Sequence, residues 1–292
     1  MRELKQHADS LHTSSVANAM EEGQLWYMAG MSRPRENFTP EDWELLAAMY
    51  SNYAGTLIFG HDNSVLAFPY LLEAMRIERE KCPDDFALCS AYVSMGRIYL
   101  NYGNVPRAVN ILREGLDRNL RSRSPERANY AFANMLSELW GIGALDSISD
   151  VVDEWARRPV DNSPASHYCN MQAKAAVALR EHDYADAVAF LRESLFNMNV
   201  EYGKAPYYVT TYLMLLDVYL RVGDFTKALE YIRLTENLKN QSGDFYTDNW
   251  RNNLVESYYR QTGQEALADS VNMINLRLKD SLYNARNHTL IS

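Results

Sequence analysis

Six histidines stand at positions 7, 12, 61, 167, 182 and 288, and no two share the i, i+3 or i+4 spacing that would set a pair on one helix face. Metal ligation and general-base chemistry both need such convergence, so the histidines point to neither. Cys82, Cys89 and Cys169 form no CxxC pair and no metal spacing, the pattern of buried or free thiols. A Cys82–Cys89 bridge across an inter-helix turn stays open for an oxidising compartment. Adjacent carboxylates, Glu21–Glu22, Asp84–Asp85 and Asp153–Glu154, do not face each other on a helix. Asp84 and Asp85 follow Pro83 and suit a helix N-terminus, where the dipole favours negative charge. The chain carries no GxSxG, P-loop, HExxH or GxGxxG. The reading is a non-enzyme with no cofactor and no metal site.

One cluster has charge enough to bind. Arg107, Arg113, Arg118, Arg121, Arg123 and Arg127 are opposed only by Glu114, Asp117 and Glu126. Such a run reads either as a solvated helix face and loop or as a docking face for an acidic partner. RNA is the weakest of the three readings, because no nucleic-acid motif accompanies the arginines. The whole chain argues the same way: 29 Lys and Arg against 38 Asp and Glu leave a net charge of −9. An acidic protein is poorly suited to general binding of nucleic acid or anionic membrane. Apolar residues make up 47% of the 292, enough for a folded core, and 20 tyrosines supply interface-forming side chains. No apolar run reaches the roughly 20 residues that span a bilayer, and the start Met1-Arg-Glu-Leu-Lys-Gln has no hydrophobic signal region. As it stands the sequence reads as cytoplasmic, or as periplasmic if a targeting segment precedes it.

The elements that position these residues follow from two interleaved spacings. Pro40, Pro83, Pro125, Pro164 and Pro206 are separated by 43, 42, 39 and 42 residues. Gly60, Gly103, Gly143, Gly223 and Gly263 are separated by 43, 40, 80 and 40, and the double gap falls where His182 occupies the expected turn. Proline is favoured at helix starts and glycine just past helix ends, so each interval reads as one helix of a hairpin. Between the markers, apolar residues recur at helical spacing: Tyr92, Met95, Gly96 and Tyr99, then Val105, Ala108, Leu112 and Leu116. The order returns as Tyr212, Leu215, Leu216 and Tyr219, then Phe225, Ala228 and Ile232. Pro69 falls inside a second helix and should kink it.

This order resembles the tetratricopeptide repeat: an aromatic, a small residue and a second aromatic, a Gly turn, then alanine. The segments ending at Ala108 and Ala228 carry the resemblance best, and His182 to Ala187 matches in its second helix. Units near 129–162 and 249–282 match less fully, and the unit near 48–81 contains Pro69. The resemblance implies an all-α, right-handed solenoid of about six helix-turn-helix repeats over residues 41–288, in units near 48–81, 89–122, 129–162, 168–201, 209–242 and 249–282. Residues 1–40 would form a partial N-terminal cap and 283–292 a tail. Gly96 would let two helices approach, and Tyr99 would fill the gap toward the next unit. The C-terminal helix from about Ala266, with Leu278, Leu282 and Leu290 on one face, is similar to the end of the repeats in bacterial tetratricopeptide-bearing signalling proteins. Its extension implies a partly exposed helix that leads to a further segment or contacts a second copy as a dimer.

In that family the first helix of each repeat lines a concave groove. Carried over position by position, the resemblance puts Asn52, Arg97, Tyr130, Ser137, Gln172, Asp217, Trp250 and Asn253 on the inner face. With no lysine among them, a clamp for a peptide's terminal carboxylate is not implied. Amides and aromatics suit a protein segment or extended peptide, as in the sensing or docking part of a bacterial regulatory protein. The alternative is a small-molecule or glycan binder in which Tyr130, Trp140 and Trp250 stack on sugar rings.

Overall fold

The computed structural model describes residues 24–25, 27–32, 34–61, 64–160, 163–196, 205–237 and 245–291. Among these, every regular element is helical and no strand occurs. After helical residues 27–31 and a 3₁₀ turn at Arg35–Asn37 come α1 (Pro40–His61), α2 (Ser64–Lys81), α3 (Cys89–Asn101) and α4 (Val105–Arg121). These are followed by α5 (Arg127–Gly141), α6 (Ser149–Arg157), α7 (Pro164–Arg180) and α8 (Tyr184–Phe196). The last four are α9 (Ala205–Val222), α10 (Phe225–Asn237), α11 (Phe245–Gln261) and α12 (Glu265–Ile291). Consecutive helices pack in pairs, α1 on α2, α3 on α4, α7 on α8 and α9 on α10.

Five turns close hairpins in one way. Gly103, Gly143, His182, Gly223 and Gly263 all have positive φ, and His182, at 60°, is the one non-glycine to do so among the described residues. At each, the turn residue's N–H bonds the carbonyl three residues back and the next N–H the carbonyl five back. Gly103 N reaches Leu100 O at 2.9 Å and Asn104 N reaches Tyr99 O at 2.9 Å; His182 and Asp183 repeat this on Leu179 and Ala178. This pair of hydrogen bonds satisfies orphan carbonyls of the finished helix. Where the second residue is Asn104, Asp183 or Asp224, its side chain then accepts the N–H of Arg107, Asp186 or Lys227 and caps the following helix. Five residues beyond the turn residue sit Ala108, Ala187, Ala228 and Ala268, all fully buried. In the third hairpin Ile148 holds that place, and a 3₁₀ turn, Leu145–Ile148, precedes a shortened α6. The end of α6 is closed from α7, where the Asn170 amide donates to the carbonyls of Trp155, Ala156 and Arg158.

Pro40 and Pro164 open α1 and α7, and Pro206 is the second residue of α9. Pro83 departs from that role. It starts a tight turn in which Phe86 N bonds Pro83 O, and α3 begins only at Cys89. Asp84 and Asp85 therefore lie in the turn, not at a helix N-terminus. Helix α2 runs through Pro69 without interruption.

The contacts divide the chain into two compact units, residues 1–131 with 282–292, and residues 132–281. In the first, Leu46, Tyr50, Leu71, Met75, Tyr92, Met95 and Ile98 form the core of α1 to α3. Helices α3 and α4 approach through glycine on both sides. A Cβ on Gly96 would lie 2.6 Å from Leu112, and one on Gly115 2.4 Å from the Tyr92 Cβ. Tyr99 reaches back to the preceding hairpin, edge-on to Phe68 at 6.1 Å, instead of forward. In the second unit Phe132 stacks on Trp155 at 4.3 Å, and Leu216, Ala228, Ile232 and Tyr258 form a further cluster. Helix α12 is the long C-terminal helix expected from Ala266, and Leu267, Met273, Ile274 and Leu276 on it are exposed. The side chains of Leu282 and Leu290 lie outside the described residues, as do residues 1–23 of the expected cap.

Candidate functional site

The eight residues expected on an inner face fall into different environments. In the first unit Asn52 is exposed on α1, while Arg97 on α3 and Tyr130 on α5 are half-buried. In the second unit Asn253 is exposed on α11 and accepts a hydrogen bond from the Asn275 amide at 2.9 Å. Asp217 on α9 accepts from the Trp140 indole at 2.9 Å and pairs with Arg221 at 3.1 Å. Ser137 is buried, its hydroxyl donating to Asn134 O at 3.0 Å. Gln172 is 1% exposed, and its amide donates to the Tyr168 hydroxyl at 2.6 Å and to Thr211 Oγ1 at 2.8 Å. That amide joins α7 to α9 inside the core, where unpaired polar groups would be costly.

Trp250 is 4% exposed and lies on Gly141, where a Cβ would come within 2.9 Å of the indole. The Tyr246 hydroxyl donates to Glu138 O from the same helix, α11. The C-terminal end of α5 is thus held by α9 through Asp217 and by α11 through Trp250 and Tyr246. Within the second unit Asp217, Gln172 and Trp250 are each taken up by contacts to neighbouring helices, not gathered into one open site. Trp140 is also only 4% exposed, so neither it nor Trp250 presents an open ring to a sugar.

The arginine run is largely spent within the chain. Arg118 reaches Glu78 at 3.5 Å and Glu114 at 3.4 Å, Arg123 pairs with Glu44, and Arg107 lies over the Tyr99 ring at 5.3 Å. Arg79 closes the network with two bonds to Glu114, at 2.8 and 2.7 Å. The Glu78 side chain is fully buried, and one carboxylate oxygen has no hydrogen-bond partner. Burial pushes its pKa up to about 7, against the opposing pull of Arg118. A cavity of about 360 Å³ lies beside this network, between α1 and the turns before α3 and α5, with Glu44, Phe86, Arg123 and Arg127 among its walls. A more open cleft of about 560 Å³ runs along α10 past Phe225, Leu229 and Tyr258.

The three cysteines are free, and burial pushes the thiols of Cys82 and Cys89 up to about 12 and 11 and raises that of Cys169 as well. Such thiols are poor nucleophiles. No group of three or more His, Cys, Asp or Glu side chains among the described residues is placed to hold a metal ion. No described helix is long and apolar enough to cross a membrane.

Sequence reasoning missed a cluster at the start of the fold. Tyr27 stacks on Tyr53 at 4.6 Å and meets Tyr50 and Tyr70 edge-on at 5.7 and 5.4 Å. The clue was the i, i+3 placement of Tyr50 and Tyr53 on one face of α1, opposite Tyr70 on α2. No family model matches the chain, and comparison with curated proteins finds no match.

Proposed function

We propose that the chain is a binding module of the tetratricopeptide kind, a right-handed array of about six repeats that holds a protein segment or extended peptide. Its setting is the sensing or docking part of a bacterial regulatory protein. The observation that supports this reading is the recurrence of one hairpin-closing turn, with the same two backbone bonds, at Gly103, Gly143, His182, Gly223 and Gly263. A chain that repeats its architecture in this way spreads a ligand over several units, where a few anchors carry most of the affinity.

Accessible inner-face positions make the test. Once a partner is captured, Asn52→Ala, Arg97→Ala and Asn253→Ala are compared with Arg157→Ala on the exposed face of α6. An anchor among the first three should weaken binding by tenfold or more while Arg157→Ala leaves it unchanged. Equal binding by all four would reject the inner face and direct attention to the Arg123–Arg127 turn. The exposed Leu267, Met273, Ile274 and Leu276 support α12 as a contact for a second copy. Light scattering that returns a monomer at high concentration would remove that part.

A further inference from the structure

Residues Tyr27, Met31 and Arg35 are spaced i, i+4 and i+8, and residues 27–31 are helical. They meet the α1–α2 hairpin together. The Tyr27 ring enters between Tyr50, Tyr53 and Tyr70, the first two on α1 and the third on α2. The Tyr50 hydroxyl donates to Met31 Sδ at 3.1 Å and accepts from Arg35 at 3.1 Å. Arg35 also lies 3.8 Å from Glu73 of α2. At Gly30 a Cβ would stand 2.5 Å from Met49 Cε, so the segment lies close against α1. Met49 directly precedes Tyr50 and lies one helical turn before Tyr53.

We propose that the cleft of Tyr50, Tyr53, Tyr70 and Glu73 is a reading site for a short helical segment. Its pattern is an aromatic residue, a small residue three on and a flexible apolar residue four on, followed past the helix end by an arginine eight on, which Pro34, extended, delivers to the cleft. The chain's own residues 27–32, with Arg35, are the resident occupant, exchangeable for a partner segment of the same pattern. This is the helix-in-groove mode of recognition, with a cation–carboxylate contact at one end. The inference rests on the binding-module reading and assigns its first hairpin a ligand class.

Three observations favour exchange over a permanent structural layer. Leu25, Met28 and Met31 are 54%, 67% and 47% exposed, so these three apolar side chains of the segment remain in contact with water. Glu73 already holds Arg76 through two bonds of 2.8 Å, so the carboxylate keeps a partner when Arg35 leaves. The Arg35–Glu73 contact is itself a solvent-exposed pair of the weak kind. Burial holds the Tyr27 phenol up to about 12, in keeping with a ring that shelters in the cleft.

The probe is a fluorescent peptide of residues 24–37 of this chain, added to the intact 292-residue chain and followed by anisotropy. Wild type, with its cleft filled, should bind weakly. The Tyr27→Ala chain should bind at least tenfold more tightly, and Tyr53→Ala added to it should reverse the gain. A peptide with its own Tyr27→Ala change should not bind. Equal binding to wild type and Tyr27→Ala, or none to either, overturns the proposal. Arg35→Ala, which leaves the ring in place, should also bind the peptide more tightly than wild type; loss of helicity in Tyr27→Ala together with no gain in Arg35→Ala overturns the proposal by making the segment an integral layer. None of these outcomes touches the Arg97 and Asn253 comparison, so failure here leaves the wider reading standing.

Discussion

Glu78 shows what one misplaced charge does to a helical core. Its side chain is fully buried beside Arg118, and its pKa is raised to about 7, so the folded protein holds that proton more tightly than the unfolded chain. Stability from this group is therefore full below the ordinary carboxylate pKa, declines as pH rises through about 7, and is flat beyond. The swing is on the order of a few kcal/mol. Glu78→Gln should abolish the slope between about pH 5 and 7 in urea melts and leave the protein at least as stable as wild type at pH 8. Arg118 is not stranded by the change, because Glu114 remains 3.4 Å away. A wild-type midpoint independent of pH over that range would contradict the burial argument. His182 is the residue-scale case of strain: a side chain held at φ 60° where the other four turns use glycine. Exchange for glycine gives up the contact to the Tyr184 hydroxyl at 3.2 Å, an exposed one. His182→Gly should stabilise by roughly 0.5–1 kcal/mol, read as a rise of a few degrees in melting temperature.

Among the helices, the same substitution should have opposite signs according to what lies across from it. A Cβ at Gly55 in α1 would have nothing within 4 Å of it, so Gly55→Ala should stabilise by about 0.5–1 kcal/mol through helix propensity. Gly115→Ala in α4 drives a methyl into the Tyr92 Cβ, and Gly141→Ala in α5 drives one into the Trp250 indole. Each should cost about 1–3 kcal/mol in chemical denaturation, since neither neighbour is the loose end of a flexible chain. A neutral Gly115→Ala would mean that α3 and α4 can part without penalty. These contrasts mark how far the sequence could be read. The turn positions were legible because a left-handed residue after a helix is nearly always glycine, and the double gap in that spacing located His182. The third hairpin was less so, because Ile148 in place of an alanine alters a local turn without breaking the period. The burial of Gln172 and Trp250 was not legible. It depends on where α7 meets α9 and where α11 meets α5, 39 residues apart for the Gln172–Thr211 bond. The partners of the arginine run were hidden for the same reason: Arg123 finds Glu44 from 79 positions away, and Arg118 finds Glu78 from 40.

At the scale of the molecule, each compact unit has a core of its own, and damage should stay near its source. In repeat architectures stability is carried by nearest-neighbour contacts, so protection from exchange reports local loss. Gly115→Ala should lower amide protection in α1 to α4 while α9 and α10 retain wild-type rates, as measured by hydrogen exchange with mass spectrometry. Equal loss across both regions would indicate one cooperative fold. The hairpin turns carry a last implication for how such a chain can change length. At Gly103, His182 and Gly223 the residue that seals one helix is followed at once by the residue whose side chain caps the next, as Gly223 is by Asp224, so no position there is spare. An insertion after Gly223 would separate the seal from the cap and shift every later side chain on α10 around its axis. Growth by insertion is left to the stretches between hairpins, such as exposed Pro159 and Val160. An epitope tag placed between those two residues should be carried without loss of melting temperature, and the same tag after Gly223 should not. Lineages of this protein would then differ in the joints between hairpins and keep the hairpins themselves at constant length.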